Sequence, residues 1–118
     1  MSGAYEFRTN DRKNGVPVCT ERWSFGADGV MTIESGQEVV RETYTLTHDD
    51  VGDWIIANVI DTNGKPDCMG NARTEVPKGT DRIYWFAMND GTINVCPPPA
   101  LNPVFVSGCY ATLQSVKP

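Results

Sequence analysis

Apolar and polar residues alternate with a period of two along most of this chain, and none of its longer stretches carries a 3.6-residue helical period. Over 18–26, Cys19, Glu21, Trp23 and Phe25 share one face while Thr20, Arg22 and Ser24 share the other. Over 39–47, Val40, Glu42, Tyr44 and Leu46 lie opposite Arg41, Thr43 and Thr45. Further strands are predicted over 4–9, 30–34, 53–60 (apolar on both faces), 82–88, 92–96 and within 104–116. Between them, 10–17 reads as a polar loop containing Asn14-Gly15. Ala27-Asp28-Gly29, Ser35-Gly36-Gln37, 48–52 and Asn89-Asp90-Gly91 read as turns, where Gly supplies the positive φ that tight hairpins need. The pattern is an antiparallel meander. Trp23 to Ile33 and Trp85 to Ile93 echo each other, each with an aromatic strand end followed by Asp-Gly and a new strand, so one hairpin chemistry is used twice.

Counting strand directions places the Asp28-Gly29, 48–52 and Asn89-to-Gly91 turns at one end. Cys19, the Ser35-Gly36 turn, the long 61–81 connection and the proline-rich 97–103 loop fall at the other. One end has tight turns and the other has long loops, the asymmetry of a small barrel with a closed floor and an open mouth. The expected fold is therefore all-β, an up-and-down meander of seven or eight strands closed into a barrel, with a two-sheet sandwich as the alternative. Residues 1–118 form one domain on this reading. The 61–81 connection reads as a surface loop clipped by Cys68, and Pro97-Pro98-Pro99 as a stiffened loop.

Charge and sulfur narrow the function classes. With 118 residues, Lys+Arg 10 against Asp+Glu 15 and a net charge of -5, the chain has no basic cluster for a nucleic acid, and no apolar run is long enough to span a bilayer. Cys19, Cys68, Cys96 and Cys109 stand 49, 28 and 13 residues apart without a C-x-x-C pair, and His48 is the single histidine, so neither structural zinc nor a His-based metal site is expected. Four dispersed cysteines in a small acidic domain read as two disulfides formed in an oxidising compartment, with three connectivities open. The start, Met1-Ser2-Gly3-Ala4-Tyr5, has no charged and apolar leader, so the disulfide reading leads to the expectation of a periplasmic or secreted protein whose signal has been removed.

Gly3-Ala4-Tyr5, Trp23-x-Phe25-x-x-Asp28-Gly29, Ser35-Gly36-x-Glu38 and Tyr44-x-Leu46 resemble the pattern of bacterial lipocalin-like domains. Asn63-Gly64-Lys65-Pro66-Asp67-Cys68 followed by two late cysteines is similar, more narrowly, to small exported proteobacterial members of that kind. The chain departs from the family in having Tyr5 where Trp is usual and no Arg in the last strand to stack on that ring. The resemblance implies an up-and-down barrel that binds a small apolar or amphipathic molecule, and it brings no catalytic residue, cofactor or metal.

Candidate chemistry centres on Glu21 and Glu42, because each shares a strand face with large apolar neighbours. Inward-facing carboxylates would have raised pKa values and would serve as an acid/base pair or as a polar ligand anchor. Trp23, Tyr44 and Trp85 would line the interior beside them, and Asn58, on the face of Trp54 and Ile56, would present an amide to a ligand. The leading expectation is a non-catalytic protein binding a small molecule in the barrel mouth. The second is an inhibitor or immunity-type protein that binds a protein partner at its long-loop end, offering Glu34, Glu38 and Asp67 to a basic cleft. The third is a small isomerase or cyclase using Glu21 or Glu42 as general acid/base.

Overall fold

The architecture follows from the alternation. A computed structural model describes residues 1–97 and 109–116; most of the Pro97-to-Pro99 run and the expected strand start at 104–108 lie outside the described residues. The strands are β1 (Gly3–Thr9), β2 (Arg12–Lys13), β3 (Val16–Pro17), β4 (Thr20–Phe25), β5 (Val30–Ser35), β6 (Glu38–His48), β7 (Asp53–Thr62), β8 (Asp81–Ala87), β9 (Ile93–Cys96) and β10 (Ala111–Ser115). Eight of them close a barrel in the order β1-β10-β9-β8-β7-β6-β5-β4, with every pairing antiparallel. Closure runs through β1, which pairs with β10 from Tyr5–Ser115 to Thr9–Ala111 and with β4 from Gly3–Phe25 to Arg8–Thr20. The sandwich alternative is thereby excluded. The loop expected at 10–17 contains a small separate hairpin, β2–β3, turned at Asn14-Gly15. Among the described residues no helix is long and apolar enough to cross a membrane.

The two Asp-Gly hairpins have the same hydrogen bonds. Gly26 N donates to Val30 O, Gly29 N to Gly26 O, and Val30 N to Asp28 Oδ1; Met88 N donates to Thr92 O, Gly91 N to Met88 O, and Thr92 N to Asp90 Oδ1. Gly29 and Gly91 both sit near φ +80° to +90°, at +81° and +87°, where a side chain would strain the backbone.

Inward residues fill the barrel below its mouth. Met31, Ile55, Val95, Ala111 and Leu113 are fully buried, and Phe7 stacks on Trp23 with ring centroids 4.9 Å apart. The floor is aromatic. Tyr5 meets Phe25 edge-on at 5.7 Å, Phe25 meets Tyr44 edge-on at 5.2 Å, and the Tyr44 hydroxyl donates to Gly26 O at 2.7 Å. Tyr5 thus closes the floor through Phe25 without the Trp–Arg stack usual in the lipocalin-like pattern.

Sulfur gathers at the opposite end. The bridges are Cys19–Cys68 and Cys96–Cys109, the redox state of an oxidising compartment. Both converge on the end of β1: Thr9 N donates to Cys19 O, Asn10 N to Tyr110 O, and the Asn10 amide to Cys109 O.

Candidate functional site

Two strands, β4 and β6, bring carboxylates to the mouth because their alternation continues to the strand ends. Glu21 on β4 lies opposite Ser35 on β5, which lies opposite Glu38 on β6, so the three form one inward row. Four residues along β6 from Glu38, on the same face, Glu42 lies opposite Met31 and Val59. A register shift in the β6–β7 pairing follows at Arg41/Glu42. Arg41 pairs with Asp61 and Glu42 with Val59, which leaves Ile60 as the extra residue of a bulge. The bulge keeps Arg41 outside, where its guanidinium holds Asp61, and Glu42 inside.

These residues line a cavity of about 180 Å³ together with Ile33, Val40, Val59 and Ile83 on its walls and Asp67, Arg73 and Asp81 at its entrance. Glu38 and Glu42 are only 5% and 4% exposed. Glu38 Oε2 is buried and has no hydrogen-bond partner. Glu21 is anchored through the Trp23 indole, whose Nε1 donates to Glu21 Oε1 at 2.9 Å. Burial, and after it the charge of Asp81, pushes the Glu42 carboxyl up to about 7, with Arg73 opposing and Glu21 adding to the rise. Glu38 is also raised, by burial first; Arg73 opposes this, and Asp67 and Glu21 reinforce it. The mouth is therefore acidic, partly desolvated and short of counter-charge.

The 61–81 connection is strapped over this opening. Gln37 N donates to Pro66 O, Val39 N to Asn63 Oδ1, the Asn63 amide to Gln37 O, and Cys68 N to the buried Ser35 hydroxyl. The Cys19–Cys68 bridge adds the covalent tie. Both sulfurs lie within 4.8 Å of a Glu21 carboxylate oxygen, a grouping with metal-like spacing, but sulfurs joined to each other are not thiolate donors and the trio holds no metal in this state.

Comparison with known proteins brings no relative. No family model, curated protein or solved structure matches the chain. Only the barrel itself bears on the lipocalin-like resemblance.

Of the side chains expected at the site, Glu21 and Glu42 line the cavity. Trp23 supports Glu21 from the core below. Tyr44 belongs to the floor, at the far end from the mouth. Trp85 faces inward one pleat below Ile83; its buried Nε1 has no partner. Asn58 sits elsewhere. It is exposed on the outer face, and its amide donates to Gly79 O and Thr80 Oγ1, both at 2.9 Å, because the apolar outer face it shares with Trp54 is covered by Tyr84 and Arg82 rather than by the core. Glu38, expected on an exposed rim, is buried. Glu38 has the parity of Val40 and Glu42, so extending the β6 alternation by two residues would have found it; Asp67 and Arg73 enter through loop geometry that leaves no periodic signal. A second recess, about 320 Å³, runs along Glu6, Thr20, Arg22, Glu34 and Gly36 and reaches Glu21 at the rim, so Glu21 borders both hollows; Arg22 and Glu34 in it are exposed.

Proposed function

We propose that this chain is a non-catalytic binding protein of the bacterial lipocalin-like kind, periplasmic or secreted, whose barrel mouth takes a small amphipathic molecule by a cationic end. The observation that carries this reading is Glu38 Oε2, buried and unpartnered beside Glu42 in a cavity with aliphatic walls. An unpaired buried carboxylate costs free energy that an ammonium or guanidinium group relieves, while the short aliphatic body of such a ligand fits against Ile33, Val40, Val59 and Ile83. A purely apolar ligand would desolvate the carboxylates further and pair none of them. The cavity, about 180 Å³, is smaller than the roughly 300 Å³ at which drug-sized sites begin, so the occupant is small or enters by one end only.

Isothermal titration of the oxidised protein at low salt with n-butylamine, n-butylguanidinium, n-butanol, n-butyrate and Ca²⁺ tests the reading. Binding of the two organic cations, weakened in Glu38→Gln and Glu42→Gln, is expected. Equal binding of butanol or butyrate, binding of Ca²⁺ alone, or no binding at millimolar concentration would overturn it.

A second reading, general acid–base catalysis by Glu42, is favoured by its rise to about 7 inside a cavity. Recovery of a captured molecule chemically unchanged after hours with the protein decides for binding. Of the carboxylates the inhibitor reading would offer to a basic cleft, Glu38 is buried, Glu34 is exposed and Asp67 is half-buried.

A further inference from the structure

Among the described residues one basic side chain lines the cavity, and it belongs to the strap. Arg73 lines the cavity with Glu21, Glu38, Glu42, Asp67 and Asp81. Its positive charge acts on both buried carboxylates, opposing the rise of Glu38 and of Glu42. It forms no ion pair with either among the described residues, and it is exposed. Its segment is held at both ends and exposed between them. Upstream, Asp67 N donates to Asn71 O, Asn71 N donates to Asp67 Oδ1, and Cys68 is bridged to Cys19. Downstream, the Asn58 amide clamps Gly79 O and Thr80 Oγ1. Between these anchors, residues 72–78 are exposed and belong to no strand.

Resting on the cation-binding reading above, we propose that Arg73 is the resident cation of the mouth: from the cavity entrance its guanidinium partly offsets the charge of the buried carboxylates when the site is empty, and the cationic end of the ligand takes its place. The ligand's charged end is then a group equivalent to guanidinium, and the strap between Asn71 and Gly79 is a tethered competitor that moves outward on binding. A side chain close enough to lower the pKa of two carboxylates also repels an incoming cation, so its removal tightens binding by two routes. This assigns Asn58 a role different from the ligand contact expected of it: it positions the downstream end of the strap.

The test uses the oxidised full chain with n-butylguanidinium as probe and compares wild type with Arg73→Gln and Arg73→Lys. Because Arg73 is exposed, neither change perturbs the core. Arg73→Gln is expected to bind the probe about tenfold more tightly at low salt, with the gain shrinking as salt is raised. Arg73→Lys, which keeps the charge, is expected to stay near wild type. Saturating probe should speed amide hydrogen exchange across 72–78 in wild type. Equal or weaker binding by Arg73→Gln overturns the proposal, the weaker case pointing to a contact between Arg73 and an anionic part of the ligand. A carboxyl ¹³C titration without any ligand separates this proposal from the function it rests on. If neither protein binds the probe, the cation-binding reading fails. The resident-cation assignment then stands if Glu42 titrates higher in Arg73→Gln and falls if its titration is unmoved.

Discussion

Glu42→Gln converts the buried charge of the mouth into a stability measurement. A carboxyl whose folded-state pKa is raised holds its proton more tightly folded than unfolded. Its contribution to stability is fully present below the ordinary value of 4.5 and is lost as pH rises through about 7, levelling off above that. The interval from 4.5 to about 7 corresponds to roughly 3 kcal/mol, reduced to about 2–3 kcal/mol because solvent reaches the cavity. Glutamine keeps the shape and removes the ionisation. The variant should therefore match wild type near pH 4 and exceed it by about 2–3 kcal/mol near pH 8.5, a urea midpoint higher by about 1–2 M. Urea unfolding of both proteins from pH 4 to 9, with the disulfides intact, measures this difference; titrations common to both cancel, apart from those coupled directly to Glu42. Parallel stability profiles across the whole range would refute the burial argument for Glu42. A variant less stable at high pH would mean that the carboxylate is held there by a partner.

The two bridges close loops of different length, 49 and 13 residues. Chain entropy then assigns about 4 kcal/mol to Cys19–Cys68 and about 3 kcal/mol to Cys96–Cys109, so guanidinium unfolding should show C19A/C68A losing about 1 kcal/mol more than C96A/C109A; the reverse order would contradict the entropic account. Gly36 has φ +58°, and a Cβ there would lie 2.7 Å from both the carbonyl carbon and oxygen of Asp67. Gly36→Ala should therefore cost more than about 1 kcal/mol and raise hydrogen exchange at Gln37 and Cys68, whose amides bond Pro66 O and the Ser35 hydroxyl. Tyr44→Phe removes one hydrogen bond to Gly26 O at the floor and should cost about 1 kcal/mol in thermal unfolding, with no effect on binding at the mouth.

The barrel was legible because period-two alternation and Asp-Gly turns are local signals. Cys19, Trp23 and Phe25 point inward as their parity requires, and Asp28-Gly29 and Asp90-Gly91 form the turns their residues specify. Parity alone also brought Glu21 and Glu42 to the interior. It failed for Asn58, because a strand apolar on both faces gives no rule for choosing the inner one. Trp54 is buried on the outside, under Tyr84 and with Arg82 over its ring, so apolar character on that face did not mean the barrel interior. The cysteine partners were open for a similar reason. All four lie at one end, and only the path of the 61–81 strap, fixed by Asn63 and Ser35, brings Cys68 to Cys19 rather than to the later pair.

The two ends of the barrel are stabilised by different means, and the difference bears on function. At the floor, Tyr5, Phe25 and Tyr44 interlock and the hairpins satisfy their own backbone groups, so no covalent aid is needed there. At the mouth, the strands carry Glu21, Glu38 and Glu42 inward where aliphatic side chains would pack better, and Glu42 alone costs about 2–3 kcal/mol at alkaline pH. The Cys19–Cys68 bridge, at about 4 kcal/mol, is large enough to offset that cost and ties the same residues together. Replacing Glu38 and Glu42 with Leu should accordingly raise stability and make the Cys19–Cys68 bridge dispensable for folding. Urea unfolding of that variant with and without Cys19 and Cys68 measures it: folding without the bridge would mean that the charged mouth, not the fold, requires Cys19–Cys68, and failure to fold would refute this.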